Sequence, residues 1–203
     1  MASLCSCPNA ASLSTITDYS CPVKFSEISK IIVCRLQEFQ CAVAPSTVAK
    51  LGTLAEWTAT LAAVDGTKTL VTPTLENVEN EPGAPITEEA TLRKLVTGYE
   101  PTVFTGELWG APQSTVALFK QLTCEKVLYV MLIDSEGNII HGLSGTKVYA
   151  FKVSNNSFFM QDLEMKKRAM NKNRFGFQLE SGWSNTATKT TPIDFDALID
   201  ITN

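Results

Sequence analysis

The chain has 203 residues, of which 44% are apolar and 19% charged, and its formal net charge is -4. A chain of that length buries a core without staples, and that composition argues against the disordered and membrane classes. Its longest apolar runs, 31–34 and 127–133, fall far short of the roughly 18 residues a membrane helix needs, and its acidic balance argues against a dedicated nucleic-acid binder.

Residues 1–24 are rich in Ser, Thr, Ala, Cys and Pro without periodicity, which predicts an extended N-terminal arm that gains order only against a partner. The segment lacks the basic start and apolar core of a secretory signal, so it is expected to stay on the mature protein. Residues 25–203 are expected to form a single domain. Ser26 can cap a helix over 26–41, in which Ile28, Ile31, Ile32, Leu36 and Phe39 recur at steps of three and four. A second helical pattern opens at Pro45-Ser46, with Val48, Leu51, Leu54, Trp57 and Leu61 on one side.

Between Lys68 and Gly98, Pro73, Pro82, Gly83 and Pro85 break any long helix. A strand over 69–74 and a long loop are expected there. Alternation over 99–109 predicts a strand with one covered face, and Pro112-Gln113-Ser114 a helix start followed by Val116, Leu118, Phe119 and Leu122. Residues 127–134 read as a buried strand, 135–138 as a hairpin turn, 139–143 as the returning strand and 147–153 as a third. Phe175, Phe177 and Leu179 alternate with smaller or polar residues and read as core positions of a further strand that ends at a Gly182-Trp183-Ser184 turn. Trp183 is expected to cover the end of that sheet, with Phe195 and Leu198 packing back in a short final element. Sequential strands with short turns favour antiparallel pairing, and the fold class is α+β.

Catalytic chemistry finds little support. His141 is the only histidine, and with no nucleophile motif beside it a surface or hydrogen-bonded strand histidine is the expectation. The six cysteines (Cys5, Cys7, Cys21, Cys34, Cys41, Cys124) are too scattered to force a disulfide framework and fit a reducing cytoplasm. Cys5 and Cys7 with Cys21 form the best metal candidate, but one C-x-C followed by single cysteines is not a zinc-ribbon spacing. Cys34 and Cys124 read as small buried hydrophobes. Phosphate-loop motifs are absent, and no cofactor is expected.

Charge placement is more informative. Lys166, Lys167, Arg168, Lys172 and Arg174 put five cations in nine residues, leaving 12 against 21 acidic residues elsewhere. Such a polarised surface suits assembly, in which basic and acidic patches of adjacent copies meet and set register. The segment 166–174 is therefore expected to be a loop that joins neighbouring subunits, ahead of the alternatives of a contact to a nucleic-acid phosphate backbone and of a simply exposed loop.

The chain also carries Cys5-x-Cys7-Pro8-Asn9, Cys21 ahead of the helix expected over 25–36, and Leu51-Gly-Thr-Leu54-Ala-Glu-Trp57. With Phe175-Gly-Phe177-Gln-Leu179, Gly182-Trp183-Ser184 and Pro192-x-x-Phe195-Asp196-Ala197-Leu198, these resemble virion structural proteins of tailed phages infecting Bacteroidota, including crAss-like phages. The resemblance implies an antiparallel β-sandwich or curled sheet, tail-tube-like, with flanking helices. It also implies a non-enzymatic subunit of the tail or neck that forms a homo-oligomeric ring around the DNA ejection channel. Implied partners are further copies of itself, other tail, neck or portal proteins, and DNA that passes without specific binding; a membrane is not among them. The implied location is the virion, assembled in the host cytoplasm. A capsid-associated decoration or head-fibre-base protein is the alternative within the same class.

Overall fold

The structure, a computed structural model, describes residues 27–36, 40, 41, 44, 45, 47–90, 93–162, 164 and 171–202. The expected arm over 1–24 lies outside the described residues. In chain order the elements are β1 (Ile28–Cys34), β2 (Gln40–Cys41), β3 (Ala44–Pro45), α1 (Val48–Leu51), α2 (Leu54–Ala62), β4 (Thr69–Val71), β5 (Glu76–Glu81), β6 (Pro85–Ala90), β7 (Arg93–Tyr99) and β8 (Thr102–Trp109). There follow α3 (Gln113–Leu122), β9 (Tyr129–Asp134), β10 (Ile139–Ser144), β11 (Lys147–Tyr149), β12 (Phe151–Lys152), β13 (Phe159–Met160), β14 (Lys172–Leu179), a 3₁₀ turn (Trp183–Thr186) and β15 (Ala187–Thr190).

Among the described residues the strands pair antiparallel into two principal sheets. The larger runs β11-β10-β9-β1-β4, with β12 also on β9 and β15 on β10, and the smaller runs β13-β14-β8-β5. The facing surfaces enclose one core. Ile31, Val33, Val130, Leu132 and Ile140 come from the larger sheet, and Phe104, Leu108, Phe175, Phe177 and Leu179 from the smaller. Phe104 stacks on Phe177 with ring centroids 5.3 Å apart, and α3 adds Phe119, edge-on to Phe175 at 5.4 Å. Each buried Phe contributes roughly 1.5–3 kcal/mol from area alone.

The opposite face of the larger sheet is covered as well. Ile32, Met131, Ile133 and Ile139 meet Leu51 and Trp57 from α1 and α2, together with Ala197 and Ile201 from the final segment. Layering is thus helix and final segment, large sheet, small sheet, an α+β sandwich. Phe195 and Leu198 pack on this outer side, across the large sheet from Phe175, Phe177 and Leu179. The ammonium of Lys30 on β1 ties the segment down by donating to the Leu198 carbonyl at 2.6 Å.

The double coverage corrects one expectation. Residues 28–34 form a central strand and not a helix, and its burial is continuous from Lys30 to Cys34. A strand buried on both faces has no period-two signature, and its apolar run satisfies a three-and-four spacing by accident. The β-branched Ile31-Ile32-Val33 favours the pleated form, where β9 and β4 supply its backbone partners.

The second expected helix breaks into α1 and α2 at Gly52-Thr53, where the final segment enters. Ile193 N–H donates to the Gly52 carbonyl at 3.1 Å, and Asp194 Oδ1 accepts from Leu54 N–H at 3.1 Å. The expected third strand over 147–153 divides at Ala150 into β11 on β10 and β12 on β9. The expected long loop over 76–98 is instead strand β5 and a two-stranded ribbon of β6 and β7. At the ribbon's base, residues 83 and 100 pass so closely that a Cβ on Gly83 would fall 1.8 Å from the Glu100 carbonyl oxygen. Only glycine fits that crossing.

Candidate functional site

Of the five cations expected to form a contact loop, Lys166, Lys167 and Arg168 lie outside the described residues. Lys172 and Arg174 belong to strand β14 and not to a loop. The Lys172 ammonium is engaged within its own chain: it donates to Glu107 Oε1 and lies 3.6 Å from Glu164 Oε2. Arg174 is exposed and lines an outward-facing groove of about 520 Å³ with Glu79, Glu81, Val103 and Thr105.

Glu107 is the polar centre of that outward face. It is 9% exposed, and besides Lys172 it accepts from Asn77 Nδ2 at 2.8 Å and Trp109 Nε1 at 2.9 Å, both on Oε2. Asn77 reaches it because the register of β5 against β8 shifts between Glu76 and Glu79, and Asn77 takes φ 48° there. The Lys172 hydrogen bond dominates and holds the Glu107 carboxyl down to about 2, against burial, which opposes it. The same bond raises the Lys172 ammonium above its ordinary value. These donors saturate the carboxylate and hold it ionised, which is a structural arrangement and not that of an acid or base.

His141 is equally committed. It is fully buried on β10, with Nδ1 3.0 Å from the Gly142 carbonyl and Nε2 2.8 Å from Thr190 Oγ1. A carbonyl only accepts, so the neutral ring carries its proton on Nδ1 and takes the Thr190 hydroxyl proton at Nε2. Burial pushes its pKa below 6.5, the carbonyl contact opposing. Neither ring nitrogen is open to a substrate.

Cys34 is buried, as expected of a small hydrophobe, and burial pushes its thiol up to about 12. Cys124 is exposed, contrary to expectation, because α3 ends at Leu122 and the chain turns outward before β9. Cys5, Cys7 and Cys21 lie outside the described residues. No cluster of metal-ligating side chains occurs among the described residues, and none of their helices is long and apolar enough to cross a membrane.

The expected architectural residues are placed as follows. Phe175, Phe177 and Leu179 are buried in the inter-sheet core. Trp183 stands edge-on to Phe104 at 5.6 Å and to Phe151 at 5.1 Å, closing one end between the sheets, and its Nε1 donates to Thr102 Oγ1 at 3.0 Å.

Sequence reasoning missed the β6–β7 ribbon. Ile86, Leu95, Val96 and Tyr99 are 47%, 51%, 48% and 58% exposed on it. In register, Glu88 faces Leu95 and Thr87 faces Val96, so Ile86, Glu88 and Leu95 share one face and Val96 lies on the other. The β-branched pairs Ile86-Thr87 and Val96-Thr97, on either side of residues 91 and 92, carried the signal, obscured by Pro82, Gly83 and Pro85. A second feature is concave. Between α3 and β4, the last strand of the larger sheet among the described residues, runs an apolar groove of about 430 Å³, lined by Leu70, Pro73, Leu118, Phe119 and Leu122. A smaller hollow continues it past Leu70 and Leu122 to Lys68.

No protein-family model matches the chain, and no curated protein matches it either.

Proposed function

We propose that this protein is a non-enzymatic structural subunit that assembles with further copies of itself, and that its setting is the tail or neck of a tailed-phage virion. The observation that carries the assembling role is the β6–β7 ribbon, which leaves Ile86, Leu95, Val96 and Tyr99 half in solvent. A lone two-stranded ribbon is marginally stable in water, and this one exposes apolar side chains on both faces, Ile86 and Leu95 on one and Val96 on the other, which suits contact with neighbouring chains. The saturated states of Glu107 and His141 support a non-catalytic reading.

The virion setting rests on the resemblance of the closing Phe-x-Phe-x-Leu, Gly-Trp-Ser and Phe-Asp-Ala-Leu elements, and the antiparallel sandwich is compatible with a tail-tube-like subunit. In that setting the subunit forms a ring around the DNA ejection channel and meets other tail, neck or portal proteins. An acidic chain lines such a channel without gripping phosphates. Lys166, Lys167 and Arg168 are its proposed electrostatic contacts to adjacent copies.

Mass measurement and negative-stain microscopy of the purified protein test the reading. Closed rings of uniform copy number are expected. A chain that stays monomeric at its highest soluble concentration contradicts the assembling role. Charge reversal at Lys167 and Arg168 with unchanged assembly removes those residues from the interface.

A further inference from the structure

We infer that the final segment, residues 192–202, is a latch: it opens as one unit while the two-sheet sandwich stays folded, and the start of α2 opens with it. The inference is independent of the proposed function.

The segment is held by its side chains and a few polar contacts, not by a ladder. It follows β15 and belongs to no sheet among the described residues. Its turn closes on itself. Ile199 and Asp200 N–H donate to the Asp196 carbonyl at 3.1 and 2.8 Å, Asp196 N–H to Asp200 Oδ2 at 2.7 Å, and Leu198 N–H to Asp196 Oδ1 at 2.8 Å. These bonds survive when the segment lifts, so it moves as a preformed plug. Ala197 and Ile201 are fully buried in the apolar layer on the outer face of the larger sheet, whereas Ile193 and Ile199 are 83% and 69% exposed.

The polar contacts tie the plug to α2 at one end and to β1 at the other. Asp194 Oδ1 takes the first amide of α2, Leu54 N–H, at 3.1 Å. Thr53, ahead of that helix, has the extended backbone of a cap, but its hydroxyl turns to the Lys50 carbonyl at 2.9 Å. The segment therefore caps α2 from 140 residues away, and lifting it uncaps the helix. On β1, the Lys30 ammonium donates to the Leu198 carbonyl at 2.6 Å. Burial pushes its pKa below the ordinary lysine value and outweighs the Asp196 charge, which opposes. Closing over Lys30 thus takes a charge out of water, which works against the apolar contacts and leaves the segment less firmly held than the sheets beneath it.

Native-state thiol labelling of the full chain reads the opening. Ala197→Cys puts a thiol at a buried latch position, and Cys34, in the same apolar layer but on β1, is the internal control. Peptide mass spectrometry is expected to find the residue-197 thiol labelled at least about 30-fold faster than Cys34, at a rate that low urea hardly changes, whereas Cys34 labelling accelerates with urea. Adding Asp194→Ala, at an exposed position, is expected to speed residue-197 labelling about 3- to 10-fold, the worth of a helix cap. Hydrogen exchange of the wild-type chain reads the same opening without the new cysteine. The Leu54, Ile193 and Asp200 amides are expected to share one opening constant and to exchange well ahead of the amides of β1 and β9.

Labelling of residue 197 and Cys34 at one rate with one urea dependence overturns the latch, because the segment then opens only when the sandwich unfolds. Exchange of Ile193 and Asp200 at unrelated rates overturns the single unit, and an Asp194→Ala variant that labels at the parent rate overturns the coupling to α2.

Discussion

The carboxylate of Glu107 on β8 accepts a hydrogen bond from the ammonium of Lys172 at the start of β14, a diagonal contact across paired strands on the outward face of the smaller sheet. The carboxyl titrates at about 2 in the folded chain because of it. A carboxyl depressed on folding stabilises the fold fully above its unfolded value, and that contribution disappears as pH falls toward the folded one. Stability is therefore expected to drop between about pH 4.5 and 2, by up to about 3 kcal/mol from this group. In Lys172→Met the Glu107 carboxyl moves back toward the ordinary range, with lower stability at neutral pH and a weaker fall over that window. Urea unfolding from pH 7 to 2 measures both.

His141 adds a second, separable slope. Its folded pKa lies below 6.5, so below that value the unfolded chain takes up protons that the folded chain refuses. Stability is expected to fall as pH drops from about 6.5 toward the depressed value. His141→Gln removes that slope while leaving the Glu107 window in place. Thermal unfolding of wild type and variant between pH 7 and 5 checks it, and NMR of the ring should find the proton on Nδ1.

These two sites show what was legible in the sequence and what was not. Strands with one wet face were readable, as at Phe175, Phe177 and Leu179, because alternation records which side meets water. β1 reads as a helix because both of its faces are dry, and dryness erases period two. The ribbon reads as a loop because proline and glycine at its base look like loop chemistry, whereas Gly83 is needed for a close crossing of two backbones. Glu107 and Lys172 are 65 residues apart in sequence, and only the β8–β14 register makes them neighbours.

Gly176 tests how tightly that register is packed. A Cβ there would lie 2.6 Å from the Phe159 ring and 2.8 Å from the Phe104 carbonyl oxygen. Gly176→Ala is expected to destabilise by about 1–3 kcal/mol, the usual range for overpacking. Adding Phe159→Ala relieves only the ring contact, because the carbonyl belongs to the paired strand, so the double variant should stay less stable than Phe159→Ala alone. Chemical denaturation of the four proteins closes the cycle.

Thiol accessibility separates the two cysteines that read alike in the sequence. Cys124 is exposed, whereas Cys34 is buried with its thiol raised to about 12. The thiolate is the reactive form. Brief maleimide labelling followed by peptide mass spectrometry should modify the Cys124 peptide and spare the Cys34 peptide, which becomes reactive only in denaturant. Labelling of Cys34 at the rate of Cys124 under native conditions would show that β1 does not sit in the middle of its sheet.

The crossing at the ribbon's base connects local backbone geometry to assembly. A methyl on Gly83 meets the Glu100 carbonyl oxygen at 1.8 Å, a backbone atom that no side-chain rotation moves aside. Gly83→Ala must therefore splay the two legs and re-aim the ribbon, while the inter-sheet core, built from other elements, keeps its contacts. The variant is expected to unfold with a midpoint close to wild type yet lose most of its self-association. A large fall in unfolding midpoint would make the crossing part of the fold's foundation. Unchanged assembly at an unchanged midpoint would mean that ribbon direction does not govern how copies meet.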